Sequence, residues 1–190
     1  MKLSDSTQRY GTLTQTLHWL SAVLVIGLFG LGLWMVELGY YDDWYHDAPA
    51  LHISFGLVLA ALTVIRMLWR AVQNGSPPLE GSRVTRAGAS ASKIMLYLLL
   101  LFMAVSGYLI TGADGSGADF FELATLPSLL TLGSDSVDLL GELHEWAAWG
   151  LILLAAGHGL AALYHHFIAR DLTLARMLPF TQTGEHNERR

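Results

Sequence analysis

Hydrophobic and polar positions along this chain fall into long blocks. Four runs without Asp, Glu, Lys or Arg approach or exceed bilayer-spanning length: 10–36, 48–65 (continuing past Arg66 to Trp69), 94–113 and 146–169. A hydrocarbon core about 30 Å thick is crossed by about 20 apolar residues in a helix. The pattern therefore predicts an all-α, integral-membrane, up-and-down four-helix bundle. It forms a single membrane domain over 1–190, with helices at about 10–36, 48–70, 92–113 and 143–169. The first run follows Lys2 and Arg9 as a signal peptide would, but it is too long for an h-region. It also lacks a small-residue cleavage site ahead of Glu37, and is expected to be retained. Residues 119–132 (DFFELATLPSLLTL) have aromatic and leucine positions that suit either a short amphipathic helix lying at the interface or an apolar loop capping the bundle. Pro77-Pro78, with Gly75, Ser76, Gly81 and Ser82, marks the middle connection as a loop, and the polar tail from Gly184 is expected to fray.

Composition strengthens the membrane assignment: 53% of residues are apolar and only 14% charged, too apolar for an ordinary soluble domain of this length. Charge then sets the orientation. All eleven Lys and Arg fall on one side of a four-helix alternation, whereas the connections 37–49 and 114–145 hold none. The positive-inside rule places both termini and the middle loop in the cytoplasm. The opposite face is acidic, carrying among others Glu37, Asp42, Asp43, Asp47, Asp119, Glu142 and Glu145. With no cysteine, disulfides, iron–sulfur clusters, thiolate-ligated haem and covalently attached haem are all excluded.

Histidines inside spanning runs are the candidate chemistry, because an ionisable side chain there is costly and by default functional. His144 and His158 are fourteen residues apart, which returns them to one helical face within about 40° and separates them by about 21 Å. Small residues share that face at Ala148, Ala155 and Ala162. Ordering by depth leaves one consistent pairing: His52 with His144 near the outer edge, and His18 with His158 nearer the inside. Wrong pairings would miss by about 20 Å, far more than the few-residue error in helix ends. Helix three has no histidine and is expected to supply walls only. Two opposed imidazoles at each of two depths suit neither a tetrahedral zinc site nor a di-iron carboxylate site. They do suit a planar macrocycle with two axial nitrogens, so two haem b groups are expected, with metal ligands His18, His52, His144 and His158. Glycines beside the ligands, Gly56 one turn after His52 and Gly157 and Gly159 flanking His158, agree with a broad flat group. With both axial positions filled, electron transfer is the natural role.

Thr16-Leu17-His18-Trp19-Leu20, then Leu51-His52-Ile53-Ser54-Phe55-Gly56 with Arg66 and Arg70 after it, Leu143-His144-Glu145, and the run HGLAALYHHFIARDLTLARMLP at 158–179 together resemble the bacterial cytochrome b561 family. The resemblance covers about Arg9 to Pro179. It implies a four-helix di-haem cytochrome of the bacterial inner membrane with axial ligands at the same four histidines. Some members are superoxide:ubiquinone oxidoreductases, and others pass electrons for dehydrogenases or hydrogenases. His165 lies seven residues beyond His158, back on the cofactor face and about 10 Å nearer the cytoplasm. A histidine at the water edge titrates near neutrality and can supply protons for quinone reduction, making His165 a candidate quinone-site residue, bordered by Trp69, Arg70 and Arg170. Alternatively, His165 and His166 snorkel at the interface.

Two functions stand at this point. One is an enzyme taking electrons from superoxide outside and giving them to ubiquinone. The other is an electron-relay subunit docking a cationic periplasmic redox protein. The acidic outer face favours the cationic partner and opposes an anion such as superoxide. Lipid is the surrounding medium, and no nucleic-acid partner is expected.

Overall fold

The structure is a computed structural model, and it describes residues 3–73 and 82–178. The middle loop at 75–81 and the tail from Gly184, His186 included, lie outside the described residues.

Four helices, α1 (Thr12–Met35), α2 (Asp47–Val72), α3 (Arg83–Thr111) and α4 (Ser134–Phe167), are each long and apolar enough to cross a membrane. They form the membrane four-helix bundle, with α1 against α2, α2 against α3 and α3 against α4 along their lengths. Few of their residues are buried within the protein, from 6% to 22% of each apolar window, as expected of helices that turn most of their apolar surface to lipid. At mid-depth Leu59, Leu100 and Leu151 form the buried core, joined by Leu24, Val25 and Leu28 of α1. Buried hydroxyls beside this layer satisfy themselves within their own helices: Ser21 donates to the Leu17 carbonyl at 2.7 Å and Thr63 to that of Leu59 at 2.8 Å.

Two helices start earlier than the apolar pattern suggests. The third begins at Arg83 because Ser82 caps it, its Oγ accepting from the Thr85 amide at 3.2 Å. Arg83 and Arg86 interrupt hydrophobicity without interrupting helix. The fourth begins at Ser134 with Asp135 in its first turn, where a carboxylate complements the helix dipole. Its first residues therefore extend beyond the apolar run as a polar extension.

Residues 119–132 do not form the interfacial helix that is one of the two sequence expectations. A hairpin runs through this stretch from Ala118, with β1 (Ala118–Phe120) antiparallel to β2 (Ala124–Leu126) in register Ala118 to Leu126. The turn places Phe121 (φ 52°) and Glu122 (φ 58°) in the left-handed region and closes with the Leu123 amide on the Phe120 carbonyl at 2.9 Å. Both central residues at positive φ define the hairpin turn that matches strand twist. Non-glycine residues hold it because Asp119 accepts the Glu122 amide at 2.8 Å and the buried Ser54 of α2 accepts the Phe121 amide at 3.0 Å. These polar anchors hold a backbone that helix formation would have to break. Phe121 also packs edge-on against Phe55, so the hairpin lies over the acidic end of α2.

At the basic end, the segment after α4 turns back across α1. Arg170 adopts φ 56°, and the chain then passes through the 3-10 turn Ala175–Met177. Trp19 Nε1 donates to the Met177 carbonyl at 2.9 Å, and the buried Gln15 donates to that of Arg176 at 3.0 Å. Arg9 donates to the Leu178 carbonyl at 2.8 Å, so α4 and α1 are tied together at this end.

Candidate haem-binding site

A seven-residue step brings a helix back to nearly the same face about 10 Å along its axis. All four helices use it here. Along α4 the series is His144, Leu151, His158, His165; along α2 it is His52, Leu59, Arg66. Along α1 it is His18, Val25, Gly32, and along α3 it is Lys93, Leu100, Gly107. Because neighbouring helices run in opposite directions, the four series form three layers. An outer layer, so named for the acidic end it lies towards, holds His52, His144, Gly32 and Gly107. The middle layer is the apolar core of Val25, Leu59, Leu100 and Leu151. An inner layer holds His18, His158, Arg66 and Lys93.

The structure brings His52 and His144 together with ring centroids 6.4 Å apart. A metal–imidazole bond is about 2 Å and a ring nitrogen lies about 1.2 Å from its centroid. Two imidazoles gripping one metal ion from opposite sides would therefore have centroids a little over 6 Å apart, so the spacing fits. The Nδ1 edges are turned towards the neighbouring helices. Ser106 Oγ lies 2.8 Å from His144 Nδ1, while His52 Nδ1 is buried with no partner among the described residues. At the inner level, His18 and His158 lie within electrostatic reach of each other, and Arg66 Nη2 sits 3.3 Å from His18 Nδ1. Among the described residues no three of His, Asp and Glu gather as a metal cluster. A group that brings its remaining ligands with it, as a porphyrin does, fits a site of two histidines.

Helix α3 does more than the walls expected of it, contributing Ser106 to one ring and Lys93 to the inner layer. Two further glycines, on α1 and α3, lie directly against the outer rings. A Cβ at Gly56, Gly157 or Gly159 would meet nothing within 4 Å, whereas one at Gly32 would lie 3.2 Å from His52 Cε1 and one at Gly107 3.2 Å from His144 Cε1. Each outer ring thus lies in a notch on the next helix. Gly107→Ala should displace the His144 ring and perturb the absorption and occupancy of a haem held by His52 and His144. The exposed Gly30→Ala, which meets nothing within 4 Å, should leave both unchanged; absorption spectra and haem content of the two variants check this.

His165 Nδ1 meets Asp171 Oδ2 at 2.5 Å, and the Asp171 amide donates to the His165 carbonyl at 3.0 Å. Burial acts to raise the Asp171 pKa, but hydrogen bonds from Thr173 and His165 outweigh it and hold the carboxyl below its ordinary value. Sequence reasoning missed this partner because only the left-handed turn at Arg170 brings Asp171 back onto the helix. Trp69 and Arg70 line a small cavity of about 30 Å³ with Thr14, Leu17, Arg66 and Tyr97. Arg170 is exposed in its turn and is not among those lining residues.

A membrane bundle whose apolar interior holds stacked histidine pairs is the frame of a b-type cytochrome. Comparison agrees: the family model described as prokaryotic cytochrome b561 matches residues 9–180. The chain belongs to the cytochrome b561 family and is a multi-pass bacterial membrane protein that binds haem b and transfers electrons. It is 46% identical over 179 residues to cytochrome b561 homolog 2 of Escherichia coli (strain K12), covering 94% of this chain and 95% of that protein. It is 28% identical over 179 residues to a probable superoxide oxidase of Yersinia pestis (90% and 97% covered) and 29% identical over 174 residues to cytochrome b562 of Cereibacter sphaeroides (89% and 94%).

Proposed function

We propose that the protein carries electrons from a one-electron donor in the periplasm to ubiquinone, through two haem b groups held at two depths in the bacterial inner membrane. The observation that carries this reading is the three-layer register: two histidine pairs two heptads apart, on facing helices, separated by one apolar layer. His52 and His144 would hold one haem and His18 and His158 the other. Haem b so ligated supplies reversible one-electron storage without an open site for oxygen. Both termini and the His165–Asp171 pair face the cytoplasm in this reading, by the one-sided distribution of Lys and Arg.

Superoxide is the leading donor, supported by similarity to the probable superoxide oxidase of Yersinia pestis. Two superoxide ions lose one electron each and leave as dioxygen, and ubiquinone takes the two electrons with two protons to become quinol. His165, oriented by Asp171, is placed to pass those protons. The second reading is an electron relay that docks a cationic redox protein, and the surface charge favours it. The α1–α2 connection exposes Glu37, Asp42, Asp43 and Asp47 together with Tyr41, which is 96% exposed. A field of this sign slows an anion and speeds a cation by about 10-fold or more.

Superoxide consumption by the purified protein, with and without ubiquinone, separates the two. The enzyme reading expects quinone-dependent acceleration of superoxide decay. Decay at the uncatalysed rate, alongside ready exchange with a cationic c-type cytochrome, would leave the relay standing.

A further inference from the structure

At each histidine level two helices supply imidazoles and the other two supply something else. In the outer layer those positions are Gly32 and Gly107, uncharged and packed close enough that an added Cβ would lie 3.2 Å from a ring. In the inner layer they are Arg66 and Lys93. Arg66 reaches His18 Nδ1 at 3.3 Å and rests over the Tyr97 ring at 5.5 Å. Lys93 and Arg66 both act electrostatically on His158. Two cations therefore border the inner level, while backbone borders the outer one.

We infer that Arg66 and Lys93 set the inner haem at a higher reduction potential than the outer one, so that an electron inside the bundle rests on the inner level. This rests on the di-haem reading above. Reduction removes one positive charge from a haem iron, so fixed cations nearby favour the reduced state. When an axial histidine binds metal through one nitrogen, the other keeps its proton. His18 Nδ1 then ceases to accept from Arg66. The guanidinium is left as a positive charge at that level, with Lys93 beside it, for the carboxylates that haem b carries on its rim. A unit charge about 10 Å away in a partly buried setting changes a one-electron equilibrium by on the order of tenfold. In the step this favours, one electron leaves the outer level, which is oxidised, and enters the inner level, which is reduced. The periplasmic donor refills the outer level and quinone empties the inner one.

A redox titration of the purified full-length protein, followed by haem absorbance, tests the inference. Two one-electron waves are expected. His52→Ala, which keeps only the inner pair, should retain the upper wave. Arg66→Gln and Lys93→Gln should each lower the upper wave by about 59 mV, tenfold in the equilibrium constant for one electron, and leave the lower wave in place. Arg66→Lys should keep most of the wild-type value, which a merely structural arginine would not require. The inference is overturned if the two waves coincide, if neither charge removal moves the upper wave, or if the shift falls on the lower one. Haem content on the same samples separates the two failures: one haem per chain removes the di-haem reading together with this one, whereas two haems with coincident waves remove this one alone.

Discussion

On the di-haem reading proposed above, replacing His144 by alanine is expected to reduce the haem content from two per chain to one. His52 and His144 face each other at 6.4 Å between ring centroids, and no third ionisable ligand stands beside them among the described residues. A haem held by this pair would lose one of its two histidine ligands with either imidazole. Ser106, which bonds the His144 ring at 2.8 Å, is too short to take over. The inner pair lies about 21 Å away along α4, beyond the apolar middle layer, and should retain its haem. His52→Ala should give the same spectrum as His144→Ala, because both empty the same level. A haemochrome assay reads the outcome, and two haems remaining in either variant would refute the pairing.

The second large effect is expected at Asp171. Its carboxylate contacts His165 Nδ1, and on the proposed reading this would leave Nε2 to exchange protons with a bound quinone. General acid–base groups contribute about 10²–10⁴-fold to rates, and a positioning partner a part of that. Asp171→Asn should therefore slow quinone reduction about tenfold to a hundredfold, leaving haem content and reduction from the donor side unchanged. Stopped-flow reduction and reoxidation distinguish the two halves; equal slowing of both would point to a structural fault. The pH dependence has a definite sign. Because the Asp171 carboxyl is held below its ordinary value of 3.8, its contribution to stability is complete above that pH and is lost as the pH falls through the lower folded value. The segment across α1 should stay anchored through mildly acidic conditions.

Much of this architecture is legible in the sequence because an apolar helix is strictly periodic and depth counts in residues. His18, His52, His144 and His158 could be ranked by depth without knowing any helix rotation. Arg66 and Lys93 hid in plain view, since a charge near the end of an apolar run reads as a boundary or as a vote for orientation. Their inward aim shows only once Leu59 and Leu100, seven residues away, are seen in the core. Ser106 and Gly107 were missed for a related reason, since helix three carries no histidine to draw attention to it. The hairpin and the Asp171 contact were hidden more deeply, because each depends on left-handed backbone at non-glycine residues: Phe121 and Glu122 in one, Arg170 in the other. No periodicity announces such turns; Ser54 and Asp119 hold the first, and the cross-links to Gln15 and Trp19 hold the second.

The leucine waist between the two histidine levels has an electrical meaning. Leu59, Leu100 and Leu151 offer neither donor nor acceptor, and the hydroxyls of Ser21 and Thr63 are committed to their own helices. A hydrated ion finds no foothold there, while an electron needs none. On the proposed reading every electron that crosses would do so without a companion proton, quinone reduction at the basic end would draw its protons from the water on that side, and turnover would charge the membrane.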